Sequence, residues 1–391
     1  MIPDGLKSLI MRDGNQISLM IFAPPTLDPL EWKVLEQIET LKKELAFSIT
    51  PRRWGGLLRR STFARAVRAS NSIEGYNVTV DDAIAAVAGE EPLDPKNEAW
   101  FAVEGYRLAM TYVLQKAGDP YFSYSGDLLQ SLHFMMMSHD LTKNPGRWRP
   151  GSVFIRDDGT GEQVYAGPSV ELVPALIQEM IDSLNDKSDP TPAMVRAAMG
   201  HLNLVMIHPF SDGNGRMARC LQTLILARAG TSDPQFASIE EYLGRNTRNY
   251  YDVLAETGGG TWQPERDTRG WIRFCLTAHF RQATTLLRRS RQLQRIWDSL
   301  EIETTKRALH ERTILALADA TVGLKVRNAT YRAVAEISDG AAARDLKALV
   351  DAGFLVPEGE KRGRYYVAAP LLQTIRKNAA EPKRVPDPFK E

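Results

Sequence analysis

The stretch HPFSDGNGRMAR, residues 208–219, decides how the rest of the chain is read. Asp212-Gly213-Asn214-Gly215 is a turn sequence whose glycines permit backbone conformations that other residues resist. It opens RMARCLQTLILARAG, an apolar-periodic segment that stops at Gly230, so the spacing predicts a helix. A glycine-rich turn at a helix N-terminus aims unpaired N–H groups and the positive dipole end at one point, which suits a phosphate chain. Arg216 and Arg219 lie three apart, share a helix face and reach the same anion. A carboxylate has little reason to join an anion site alone; Asp212 fits there by holding Mg²⁺ together with substrate phosphates. His208, at the end of the preceding helix, is placed to act as a general base. Taken singly, each residue also reads as part of a capped helix corner with solvated arginines. The combination points to chemistry.

The chain has 391 residues, enough for two or three domains, and a formal net charge of +1. The charge is unevenly spread: residues 281–391 carry 21 Lys and Arg against 14 Asp and Glu, the first 280 carry 28 against 34. A basic C-terminal end suggests a polyanion partner or a solvated helical surface, and charge alone leaves both open. Cys220 and Cys275 form no CxxC pair, which excludes a zinc ribbon and a disulfide framework. The first residues show no basic leader followed by an apolar run, and no stretch has the length of an apolar bilayer span. A cytoplasmic protein with no membrane contact is expected.

Apolar residues at three- and four-residue spacing predict helices over 31–47, 97–116, 171–185, 191–207 and 216–229. FAPPTLDP (22–29) and EEPLDPKN (90–97) punctuate them. PGSVFIRDDGTGEQVYAGP (150–168) instead alternates around an Asp/Gly turn and predicts a β-hairpin, too small for its own core and so a surface flap. A helix over about 266–283 and an arginine-rich stretch over 281–300 precede two short helices at 306–319 and 330–337. AAARDLKALVDAG, stopped by Gly353, and FLVPEGEKRGRYYVAAP complete the order helix, turn, helix, hairpin of a winged helix-turn-helix. His133 and His139 lack metal-ligand spacing, and His201 reads as helical core.

HPFSDGNGRMAR is similar to the signature of the Fic domain family, HxFx(D/E)GNGRxxR, at every fixed position. The resemblance implies a mainly α fold: a Fic-type helical bundle with a β-hairpin flap, here followed by a C-terminal winged helix-turn-helix domain. It implies transfer of AMP from ATP to a Tyr, Thr or Ser hydroxyl of a target protein. By position, His208 would deprotonate the target hydroxyl and Asp212 would hold Mg²⁺ against the α- and β-phosphates. Asn214, with the backbone of Gly213 and Gly215, would cradle the α-phosphate; Arg216 and Arg219 would grip the β- and γ-phosphates. Phe210 would pack inward. The flap would hold the target segment in extended form, an ordinary strand addition. RNTRNYYDVLAE (245–256) resembles the family's helix near the adenine, with Tyr250, Tyr251 and Leu254 as candidate pocket residues; an aromatic pair on a helix also reads as plain core.

Upstream, SNSIEGYN (70–77) is similar to the family's inhibitory pattern [S/T]xxxE[G/N], through Ser70, Glu74 and Gly75. The resemblance implies that Glu74 pairs with Arg219 and so denies it to the γ-phosphate. The alternative is a helix end, with Gly75 as its stop. The expected organisation is an N-terminal helical segment with the inhibitory helix (1–95), a Fic core (96–285), a linker helix (286–305), the winged helix (306–372) and a basic tail (373–391). Arg344 and Lys347 on the last helix and Lys361, Arg362 and Arg364 on the wing are candidate DNA contacts, against a protein-docking module. A homodimer is a further expected association. Competing readings are removal of AMP, transfer of another nucleotide or phosphate group, and a DNA-binding regulator that uses the Fic core as a nucleotide sensor.

Overall fold

A computed structural model describes residues 21–49, 53–92, 99–156, 159–230, 236–360, 363–383 and 386–390, together with the backbone of two short paired strands, β1 (Met11–Arg12) and β2 (Asn15–Gln16). The chain is mainly helical. In order come α1 (Pro29–Ile49), α2 (Gly55–Ile73), α3 (Val80–Ala88), α4 (Ala99–Ala117) and α5 (Gly126–Met137). A hairpin of β3 (Phe154–Arg156) and β4 (Gln163–Ala166) interrupts the helices. Then follow α6 (Val173–Asn185), α7 (Ala193–Ile207), α8 (Asn214–Arg228), α9 (Glu240–Arg245), α10 (Thr247–Gly258) and α11 (Arg269–Lys306).

The central pair is α7 and α8, joined by the motif loop. Both are buried on nearly all sides. They approach closely because Gly200 presents no side chain: a Cβ there would meet the Ile225 side chain at 2.6 Å. Around this pair pack α2, α4, α5, α6 and α11, and Trp271 on α11 donates its indole N–H to the Ala198 carbonyl (2.8 Å). The lead-in 21–28 is extended, as its prolines predict. It is fixed by Asn203, whose amide both accepts from Phe22 N–H and donates to Phe22 C=O.

Two expectations need correction. The helix expected over 266–283 and the arginine-rich stretch after it are one 38-residue helix, α11, which crosses the boundary expected at 285/286. Buried positions recur along it from Trp271 through Leu286, Leu293, Ile296 and Leu300 to Thr304, with no Gly or Pro between to stop it. The tail expected from 373 begins inside α15 (Pro370–Asn378), which buries Leu372 and Ile375.

The C-terminal unit contains α12 (Thr313–Thr321), α13 (Asn328–Ala335), α14 (Asp339–Asp351), the antiparallel pair β5 (Leu355–Glu358) and β6 (Tyr365–Ala368), and α15. Val326 bridges to Tyr366 through reciprocal backbone bonds (2.9 and 2.8 Å). The unit docks on α2 and α3. Arg60 Nη2 of α2 donates to both carboxylate oxygens of Asp319 of α12 (2.7 and 2.8 Å), both side chains nearly buried. Lys325 N–H donates to Asp81, and Arg327 reaches the Glu91 carbonyl and Glu90 carboxylate.

Candidate active site

The motif forms the corner between α7 and α8. His208 ends α7 in the left-handed region (φ 52°), which a non-glycine residue adopts only when held there. Its Nδ1–H donates to the Val205 carbonyl (3.2 Å), so Nε2 is left with its lone pair free to take a proton. The ring is only partly screened from solvent, yet burial holds its pKa down, at about 4, and the imidazole is neutral at pH 7.

Gly213 starts α8 at φ 75°, a conformation only glycine takes without strain. The first-turn N–H groups of α8 have no acceptor within the helix. Asp212 turns one carboxylate oxygen onto Gly213 N–H (2.6 Å) and the other toward the Lys143 ammonium (3.7 Å), at the exposed mouth of the corner. Asp212 is the carboxylate at the corner that could hold Mg²⁺ shared with phosphate oxygens, the metal displacing the Lys143 ammonium. Among the described residues no cluster of three His, Cys, Asp or Glu side chains offers a closed metal site.

Asn214 corrects the expectation for its side chain. Its carboxamide is committed to Phe210, accepting from Phe210 N–H and donating to Phe210 C=O (both 2.9 Å). Its backbone N–H remains for an anion, beside the second amide N–H that the Phe210 pair does not use. Phe210 is fully buried, as its place in the motif implies, and stacks on His133 with centroids 3.8 Å apart.

Arg216 and Arg219 are both buried, on one face of α8. Arg219 is bonded at two of its three nitrogens: Nε–H donates to Ser70 Oγ (2.8 Å), Nη2–H to Ser70 C=O (3.0 Å) and to Glu74 Oε1 (2.7 Å), while Nη1 has no partner among the described residues. Arg216 is held by less. One nitrogen touches the Met137 sulfur (2.9 Å) and the guanidinium lies over the Tyr76 ring (4.9 Å), but Nε and Nη1 have no partner. Glu74 follows the last residue of α2, and Gly75 turns the chain at φ 85°. Its carboxylate lies directly over Gly215, where a Cβ would meet Glu74 Oε1 at 2.5 Å.

The pocket expected at α10 is not formed by Tyr250. That ring is buried against Trp271 and Phe274, and its hydroxyl donates to His201 Nε2 (2.9 Å). His201 is core, as expected; its Nδ1–H donates to Gln222. Leu254 is buried too. Tyr251, 47% exposed, reaches the Ile73 carbonyl at the end of α2 (3.3 Å).

Two residues escape the sequence reading. His133 accepts from Gly146 N–H at Nδ1 and so donates from Nε2 to the Asp212 carbonyl (3.0 Å). Arg149 contacts the His208 and Pro209 carbonyls. Their partners lie 79 and 59 positions away, and no local pattern marks them. On the C-terminal unit, Arg344 and Arg364 are exposed and Lys347 is tied to Asp351 (2.6 Å); Lys361 and Arg362 lie outside the described residues.

A left-handed histidine, a glycine-opened helix N-terminus and two inward arginines thus meet at one corner. Residues 123–226 match the Fic/DOC family, and the chain contains a Fic domain. It is 28% identical over 267 residues to protein adenylyltransferase Fic of Nematostella vectensis, covering 64% of this chain and 55% of that protein. It is 28% identical over 236 residues to protein adenylyltransferase fic-1 of Caenorhabditis elegans, covering 58% and 44%. The chain thus spans about half the length of the curated relatives it matches. A Fic family protein from Desulfovibrio desulfuricans G20 shares the fold at a TM-score of 0.55 and 21% identity, over 89% of this chain and 99% of that one. No helix among the described residues is long and apolar enough to cross a membrane.

Proposed function

We propose that this chain transfers AMP from ATP to a Tyr, Thr or Ser hydroxyl of a target protein, held low by Glu74. The observation that carries it is Arg216: a buried guanidinium with two unpartnered nitrogens beside a helix N-terminus. A buried charge stripped of its partner costs roughly 3–5 kcal/mol, so such a group is expected only where an anion completes it.

In this reading the target hydroxyl gives its proton to His208 Nε2. Its oxygen bonds to the α-phosphorus as the α–β phosphoanhydride bond breaks, and pyrophosphate leaves. The first-turn N–H groups of α8 hold the α-phosphate and Arg216 the outer phosphates, while Asp212 would hold Mg²⁺, which when bound offsets phosphate charge. Arg219 would join Arg216 once Glu74 withdraws. The outer edge of β3 pairs with no strand among the described residues and would accept the target backbone.

The test is intact-mass analysis of Glu74→Gly protein incubated with Mg·ATP. An AMP adduct that vanishes in Glu74→Gly/His208→Ala supports the assignment; absence of any adduct removes it. Glu74 is 22% exposed, so its carboxylate is also reachable by water, and removal of AMP from a modified target is the second direction for the same site. The C-terminal unit has the element order of a winged helix. Protein docking is better supported for it than DNA contact, because the exposed Asp339 and Asp351 of α14 balance Arg344 and Lys347, with Lys347 bonded to Asp351. Salt-sensitive binding of duplex DNA would reverse that preference.

A further inference from the structure

Arg149 precedes the flap and is buried. Among the described residues it forms no ion pair; its guanidinium instead spends three nitrogens on three backbone carbonyls. Nε–H donates to His208 C=O (2.9 Å), Nη1–H to Gly151 C=O, and Nη2–H to Pro168 C=O. Its own backbone N–H donates to Pro209 C=O (2.8 Å). Gly151 is where the chain enters the hairpin, and Pro168 is where it leaves. The two ends are further closed by Gly167 N–H on Val153 C=O (3.2 Å). One planar fork therefore joins both feet of the flap to the His208 carbonyl, while the main-chain N–H of the same residue holds Pro209.

From this geometry we infer that Arg149 is a positioning residue that sets the flap's edge in register with His208 Nε2. A left-handed histidine is not self-supporting. The side-chain bond to His208 C=O and the main-chain bond to Pro209 C=O hold two consecutive peptide units where the imidazole faces the corner. The same cation fixes where β3 begins, and with it the depth at which an extended acceptor presents its hydroxyl. Lysine keeps the charge but not the fork, because an ammonium on a flexible stem cannot meet three divergent carbonyls at once. None of these bonds involves the arginines or the first turn of α8, so nucleotide binding does not depend on them.

The inference rests on the adenylyltransferase reading and is tested in the Glu74→Gly protein. Arg149→Lys is expected to lower the rate of self-adduct formation by about 10–100-fold, the scale of a roughly 1 Å misplacement of reacting groups. Affinity for a non-hydrolysable ATP analogue should stay within about twofold, as for substitutions that touch no binding contact. Should the lysine variant not fold, Gly167→Ala tests the flap arm alone. Its added Cβ would press on Val153 at 2.7 Å, and it too should slow transfer with analogue affinity kept. Transfer at the parent rate in these variants, or analogue affinity falling as far as transfer, overturns the inference. If the Glu74→Gly parent itself forms no adduct, the functional reading fails, whatever the role of Arg149.

Discussion

The motif loop and the Glu74 turn meet across Arg219 and are held in opposite ways. The loop is braced from afar by Arg149 on His208 and Pro209 and by His133 on Asp212, and from within by Asn214 on Phe210. In the turn, the backbone N–H groups of residues 74–76 all return to residues 71 and 72 of the same helix. Its side chains add one ion pair to Arg219 and the Tyr76 ring, which lies over Arg216 and edge-on to His139. The difference teaches that withdrawal of the turn would leave the braces of the motif corner in place.

The strongest way to break that comparison is to remove the base. His208→Ala should cut transfer about 10²–10⁴-fold, the usual yield of general base catalysis, with analogue affinity little changed. Lost analogue affinity would mean that the loop is less independent than its bracing implies. Next in size is the turn itself. Glu74→Gly removes a charge-assisted bond worth about 1.5–3 kcal/mol, so ATP-analogue affinity and transfer should rise roughly tenfold to a hundredfold. Equal affinity in the two proteins would rule out Glu74 as an obstacle.

Asn214→Ala strands two buried backbone groups of Phe210 and should cost about 2–4 kcal/mol in denaturant unfolding. Asn77→Ala on the exposed turn should stay within about 0.5 kcal/mol. Similar losses at the two sites would erase the contrast.

The pH dependence sharpens it further. Burial lowers the pKa of His133 to about 4 and of His201 and His279 to about 3, so all three are neutral in the folded chain. Below the unfolded value near 6.5 the unfolded state binds protons that the folded state refuses. Stability is therefore complete above that value and falls as the pH drops toward the folded values, by about 2 kcal/mol per histidine at pH 5. His208 keeps its base form over the same range. Initial rates of freshly acidified protein should hold down to about pH 5 while the melting temperature declines; a rate that halves near pH 6.5 would contradict its lowered pKa.

What could be read in the sequence was local. The flap's alternation and the spacing of α7 and α8 depend on near neighbours and formed where expected, while the Asp-Gly-Asn-Gly turn is shorter than read, since Asn214 and Gly215 already belong to α8. The approach of Glu74 to Arg219 was reachable only through the family pattern, because 145 residues separate them. His133 and Arg149 have no such pattern. Tyr250 and Tyr251 look alike in a string, and only packing against Trp271 sends one inside and leaves the other half-exposed. The length of α11 escaped because a change in charge was read as a boundary, while the apolar spacing continued through it.

The pair between Arg60 and Asp319 bears on how the protein is cut for study. A fragment ending at Lys306 would strip the far end of α2 of its anchor and leave a nearly buried guanidinium without its carboxylate. Measurements on such a piece would describe a loosened helix, and its apparent vigour would belong to the scissors rather than to the intact chain.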